Sequence, residues 1–205
     1  MEAGRNTLLV APRALQHANA RLDLKQIARI VDVLIWCPGR RYFTGIGKSG
    51  LTAQRMAASL TSIGLPSHCV HGTEWGHGER GGVARGDLIT CVSHSGKTVE
   101  LLELADGLER QMGSSKVIGG RAKQCVTLVA LTGNGDSALA RRAALTVTCA
   151  VPLEAELLGI LPSASVLAVH HVFNAVLAAC ADRLRLTPEQ VRIYHPGGSV
   201  GRDVQ

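Results

Sequence analysis

Residues 41–64 read RYFTGIGKSGLTAQRMAASLTSIG. RYFTG is a short run rich in β-formers, GIGKSG is a glycine turn, and SGLTAQRMAASLTSIG spaces its apolar residues as a helix does. A strand therefore runs into a helix through a tight turn. Working outward, SHCVH at 67–71, DLITCVS at 87–93, VTLVALTG at 126–133 and LTVTCAV at 145–151 repeat the β-rich signature, with helical patterns such as TVELLELADGLERQ (98–111) between them. This βαβ alternation predicts an α/β fold, a three-layer αβα sandwich around a five-stranded parallel sheet. Upstream, LDLKQIARIVDVLIWC sets Leu24, Ile27, Ile30, Val31, Leu34 and Ile35 at the spacing of an amphipathic helix that precedes the first strand. Sheets of this kind bind ligands at the carboxyl ends of their strands, so the loops to read are 45–50, 71–82, 93–98 and 132–137.

With 205 residues, 46% of them hydrophobic, the chain can bury one sizeable core. One domain over 1–205 is expected, with N-terminal helices in 1–40, an α/β core over 41–185 and a tail over 186–205. The first 22 residues hold no unbroken apolar segment and no small-residue cleavage site, which points to the cytoplasm. Cys37, Cys69, Cys91, Cys125, Cys149 and Cys180 form no C-x-x-C pair and read as reduced core residues. Residues 157–181 carry no charge, yet Pro162, Ser163, Ser165, His170, His171 and Asn174 interrupt them, so no membrane span is expected. A helix apolar nearly all round belongs in a core or between subunits and predicts an oligomer. GSSKVIGGRAKQ, 113–124, has no period and reads as an exposed loop or insertion.

A formal charge of +6 suits an anionic partner. The basic residues stand singly or in pairs and aromatics are only 3%, so a small phosphate fits better than nucleic acid. GIGKSG is not a nucleotide P-loop, because Tyr42 stands where that motif needs its first glycine. It instead offers Gly47, Lys48, Ser49 and backbone N–H groups at a helix N-terminus, an anion site. SHSGKT, 93–98, places Ser93, Ser95 and Thr98 around a second glycine turn, again at the positive end of a helix. Glu100 follows one turn later, Glu154 follows the last strand, and His195 lies near the C-terminus. A phosphate cradle with such acids and bases is what aldose–ketose isomerisation requires.

In order, GIGKSG, the V-H-x-x-E-x-x-HG loop at 70–78, S-x-SG-x-[ST]-x-E at 93–100, LTG at 131–133, E-x-x-x-LG-x-x-P[ST] at 154–163 and HPGG-x-x-GR at 195–202 resemble the D-arabinose 5-phosphate isomerases. These are sugar isomerase (SIS) proteins. The resemblance covers 25–205 and implies a flavodoxin-like SIS domain, a homotetramer, and interconversion of D-ribulose 5-phosphate and D-arabinose 5-phosphate for Kdo, lipopolysaccharide or capsule. It also implies catalytic Lys48, Glu100, Glu154 and His195, the histidine coming from a neighbouring subunit. Relatives often carry CBS modules after this domain; none falls within these residues, so nucleotide-type control is not expected. Where the family usually shows Asn and a small or acidic residue, this sequence has His94 and Lys97, which bears on the sugar more than on the reaction. An isomerase acting on another sugar phosphate, such as a hexulose 6-phosphate, and a non-catalytic sugar-phosphate sensor are the alternatives.

No cofactor is expected. His71, Glu74 and His77 share a loop but do not form H-E-x-x-H, and His77, the weak metal candidate, is expected to border the sugar. Glu154, flanked by Leu153, Leu157 and Leu158, is expected to be the base, its pKa raised by partial burial. Lys48 would stabilise the enediolate, His195 would open the ring or move protons between O1 and O2, and Glu100 would position Lys48 or substrate hydroxyls.

Overall fold

The computed structural model describes residues 2–112 and 125–202, so the insertion expected at 113–124 lies outside the described residues. Two helices, α1 (Glu2–Arg21) and α2 (Leu24–Ile35), lead into β1 (Arg41–Gly45). Asp23 caps α2 by accepting from the backbone N–H of Lys25. At its other end the buried Arg41 guanidinium donates to the carbonyls of Leu34 at 2.5 Å, Ile35 at 3.2 Å and Cys37 at 3.4 Å. One side chain thus closes two helix-end acceptors and a third just past the cap, and ties α2 to the first strand. Ile27, Ile30, Val31 and Leu34 are buried as the spacing predicts, whereas Leu24 is 75% exposed. Leu24 is the first helical residue beyond the cap, where the chain still faces solvent.

After β1 come α3 (Lys48–Thr61), β2 (Ser67–Cys69), β3 (Leu88–Val92), α4 (Val99–Met112), β4 (Thr127–Thr132), α5 (Ala138–Arg142) and β5 (Leu145–Thr148). All five strands pair in parallel in the order β2-β1-β3-β4-β5. Alternate residues enter two separate cores. Phe43, Leu88, Val92, Val129 and Leu131 face α2, α3 and the long helix α6 (Ala164–Arg183). Tyr42, Ile89, Cys91, Leu128 and Ala130 face Leu101, Leu104 and Leu108 of α4. Burial on both sides is why these strands read as continuous apolar runs.

The helix α6 begins at Ala164, not at the start of the uncharged stretch, and packs against α1, α2 and α3 through Ala168, Val172, Phe173 and Val176. It is the one helix among the described residues long and apolar enough to cross a membrane by length and composition. Two short helices, α7 (Pro188–Tyr194) and α8 (Gly198–Arg202), end the described chain. Of the cysteines, Cys91, Cys149 and Cys180 are buried; burial pushes the first two up to about 12 and the third to about 11. Cys69 departs from the core reading: it lies exposed on edge strand β2.

Candidate active site

Adjacent strands β1 and β3 send their chains to opposite faces, α3 to one and α4 to the other. A crevice opens between two such strands at their carboxyl ends, the ligand position of open α/β sheets. The turns 45–50 and 93–98 border that crevice. In the first, Gly47 adopts φ 57°, and the Ser49 and Gly50 N–H groups donate to the Ile46 carbonyl at 3.1 and 3.3 Å. Lys48, exposed, begins α3.

The second turn is held from within. Ser93 is 2% exposed; its Oγ accepts from Gly96 N–H at 3.1 Å and shares a hydrogen bond with Thr98 Oγ1 at 2.8 Å. Ser95 Oγ accepts from Lys97 N–H at 3.2 Å. Gly96 adopts φ 61°, and a Cβ there would overlap the Ser137 side chain, so only glycine fits. Ser93 and the half-buried Thr98 therefore frame the turn, while Ser95 is exposed just before the N-terminus of α4.

Glu100 and His77 line one cavity and Glu154 another. One, of about 420 Å³, is lined by Gly72, His77, Arg80, Glu100, Glu103 and Arg110, so Glu100 and His77 come together. The other, of about 400 Å³, is lined by Glu154 with His94, Val151, Pro152 and Ile160. In the loop 71–77, where no metal is expected, His71 Nδ1 pairs with Thr73 Oγ1 at 2.9 Å, and that hydroxyl donates to Glu74 Oε1 at 3.0 Å. His77 faces the first cavity instead, and no three metal-type side chains converge among the described residues.

Glu154 corrects one expectation. Its neighbours Leu153, Leu157 and Leu158 are 53%, 80% and 66% exposed and do not enclose it. Burial does push the carboxyl up, but hydrogen bonding to Ser165 and Ser163 outweighs it and holds the group below its ordinary value. Glu154 Oε2 accepts from Ser163 N–H at 2.8 Å, Ser163 Oγ at 3.1 Å and Ser165 N–H at 3.1 Å, at the start of α6. These donors and the helix dipole favour the charged form.

His195 stands apart from both cavities. Its Nδ1 bonds the Val191 carbonyl of its own helix at 2.8 Å. Its neighbour Tyr194 packs on Gly64, beyond the end of α3 opposite Lys48. The 14 residues of α3 separate those ends by roughly 20 Å. Sequence reasoning gave His94 no role in catalysis, although it lies inside SHSGKT, and gave Arg80 none, for which no motif existed.

Residues 34–179 match the SIS domain family. Arabinose 5-phosphate isomerase KpsF of Escherichia coli is 32% identical over 198 residues, 97% of this chain and 57% of that protein. Arabinose 5-phosphate isomerase KdsD of Escherichia coli K12 is 30% identical over 201 residues, covering 98% of this chain and 57% of that one. The chain thus spans a little over half the length of these relatives. An Escherichia coli CFT073 protein solved in complex with arabinose 5-phosphate superposes with a TM-score of 0.82 at 32% identity, covering 94% of this chain and 95% of that chain.

Proposed function

This chain belongs to the SIS-domain family, and from that premise we propose that it is a cytoplasmic aldose–ketose isomerase interconverting D-ribulose 5-phosphate and D-arabinose 5-phosphate. The observation that carries the reading is the preformed turn 93–98 at the N-terminus of α4, across the β1/β3 crevice from Lys48. A phosphate fits there, with Ser49, Ser95, Thr98 and turn N–H groups as donors and Ser93 holding the turn. The sugar then extends toward the carboxylates. Supply of the Kdo sugar for lipopolysaccharide or capsule is the role that this reaction would serve under the same proposal.

Glu154, its Oε2 anchored at the start of α6, takes the carbon-bound proton. That anchoring fixes the direction of attack, and the hydrogen bonds that hold the group below its ordinary pKa favour the carboxylate form. Lys48 neutralises charge on the enediolate, and Glu100 with His77 orients hydroxyls. His195 comes from a second copy, in a homotetramer whose subunits share active sites; its distance from its own cavities supports this. So do Leu153, Leu157, Leu158, Ile160 and Leu161, all more than half exposed in one loop beside Glu154.

Incubation with ribulose 5-phosphate and identification of the aldose formed is the decisive assay. Arabinose 5-phosphate is expected; unchanged ketose would overturn the reading.

A further inference from the structure

The helices α3 and α6 both begin at the carboxyl rim of the sheet, and each start carries part of the reaction proposed above. Lys48 is the first residue of α3, and the Ser163 and Ser165 donors that anchor Glu154 stand at the start of α6. Gly47 gives α3 no side-chain cap. A directional chain of hydrogen bonds instead ties this end of α3 to α6. Thr52, 1% exposed, donates its hydroxyl proton to the Lys48 carbonyl at 3.0 Å. His170 Nε2 lies 3.4 Å from that hydroxyl oxygen, and Arg55 donates to His170 Nδ1 at 3.0 Å and to Asn174 Oδ1 at 2.7 Å. Thr52 is one turn beyond Lys48, and His170 little more than one turn beyond Ser165. The tie therefore crosses between the helices roughly 6–8 Å beneath both groups.

The partners decide the state of the ring. A guanidinium can only donate, so Nδ1 keeps its lone pair; the Thr52 proton is already committed, so Nε2 carries the hydrogen and gives it to Oγ1. His170 is thus a neutral imidazole in one tautomer, bonded to α3 through both nitrogens. Burial, and then the Arg55 charge, hold it below its ordinary pKa. Other charged and titratable groups on the helices around α6 turn elsewhere: His171 meets Asn19 of α1, His17 and Arg21 of α1 bond each other, and Asp32 of α2 pairs with Arg183 in the last turn of α6. A proton on Nδ1 would remove the acceptor and set two cations against each other, so the ring would lose its brace on Arg55 and with it its hold on Thr52.

We propose that His170 is a positioning residue of the isomerisation: its neutral ring ties α3 to α6 and so sets Lys48 relative to Glu154, and the setting is lost when the ring gains a proton. The assignment rests on the isomerase reading. His170 acts on the reaction through Thr52 and the turn that presents Lys48.

The test is a double-mutant cycle read as kcat on ribulose 5-phosphate. His170→Leu keeps apolar packing and removes both bonds; kcat is expected to fall about tenfold with KM within about threefold of wild type. In a Lys48→Ala background the same change is expected to cost less than about twofold, because the group it positions is gone; a merely structural histidine would cost the same in both. His170→Gln retains a donor and an acceptor but does not titrate. Its kcat is expected to stay within about threefold of wild type at pH 8, and to hold as pH falls from the ordinary histidine value of 6.5 while the wild type declines. Where His170→Leu does not fold, this pH comparison decides alone. Wild-type kcat in His170→Leu, equal losses in the two backgrounds, or parallel pH profiles for wild type and His170→Gln each overturn the positioning role and leave the isomerase reading in place. A wild-type protein that leaves ribulose 5-phosphate unchanged overturns both.

Discussion

Residues 93–98 and residues 151–163 share the carboxyl rim of the sheet, and both are ordered by side chains that bond backbone N–H groups. In the turn after β3, Ser93 and Ser95 do this, and the result packs against Ser137 and Gly133 of the same chain. In the loop after β5, two carboxylates do it: Glu154 takes Ser163 and Ser165, while Glu156 takes Leu158 at 2.6 Å, Ile160 at 2.5 Å and Leu161 at 2.8 Å. With carboxylates occupying its inner side, this loop turns its leucines outward. The contrast teaches that local polar order and apolar burial need not go together. The first region is packed as well as bonded; the second satisfies its backbone but leaves its apolar side chains exposed.

The largest effect expected is on catalysis. Glu154→Gln keeps the shape but removes the base, so kcat should fall by about 10²–10⁴ with KM little changed, and solvent deuterium should stop entering C1 or C2. If wash-in persists in that variant and vanishes in Glu100→Gln, the carboxylates exchange roles. Next in size is assembly. Replacing Leu157 and Leu158 together by Ser should weaken the oligomer by at least about 10²-fold, since each buried leucine contributes roughly 1.5–3 kcal/mol. Light scattering should report smaller particles while thermal unfolding of the dissociated chain stays within about 0.5 kcal/mol of wild type. An unchanged mass erases the contrast between the two regions.

Gly96→Ala attacks the self-contained turn. Its positive φ and the overlap with Ser137 should cost about 1–3 kcal/mol, read as a lower denaturation midpoint with unchanged assembly. Ser95→Ala, in contrast, should leave stability nearly alone and raise KM about tenfold, as one hydroxyl bond to a charged phosphate is lost. The smallest effect concerns pH. Because the folded-state pKa of Glu154 is depressed, its contribution to stability is full above the ordinary glutamate value of 4.5 and disappears as pH falls through the folded value. The Tm difference between wild type and Glu154→Gln should therefore close on acidification from pH 5; a gap that stays constant would deny the hydrogen-bonded anchoring.

Strands and helices were legible because both sheet faces are covered, so each strand announces itself as an apolar run bounded by glycine turns. Turn 93–98 was legible for a similar reason: its hydroxyls and Gly96 are adjacent in sequence. Glu154 was legible as a residue but not as an environment. Flanking leucines suggested burial, whereas the donors that set its ionisation, Ser163 and Ser165, lie 9 and 11 residues away across a loop. His94 illustrates the same limit, since what locates it is Gly133 on the next strand, and pairing between strands is not written in local spacing.

The helix α6 also governs how the chain must be made. Asn19 of α1 meets His171 across 152 residues, and Asp32 of α2 meets Arg183 across 151. At about 5–20 residues per second, a ribosome needs roughly 8–30 s to bring these partners together. Throughout that interval Ile27, Ile30, Val31 and Leu34 have emerged while Val172, Phe173 and Val176, which share their core, have not yet been synthesised. The nascent chain thus carries an apolar helix face whose cover stays incomplete until α6 is translated. A holdase chaperone is the natural guard for that interval, and a chain halted before α6 should aggregate rather than persist as a smaller folded form.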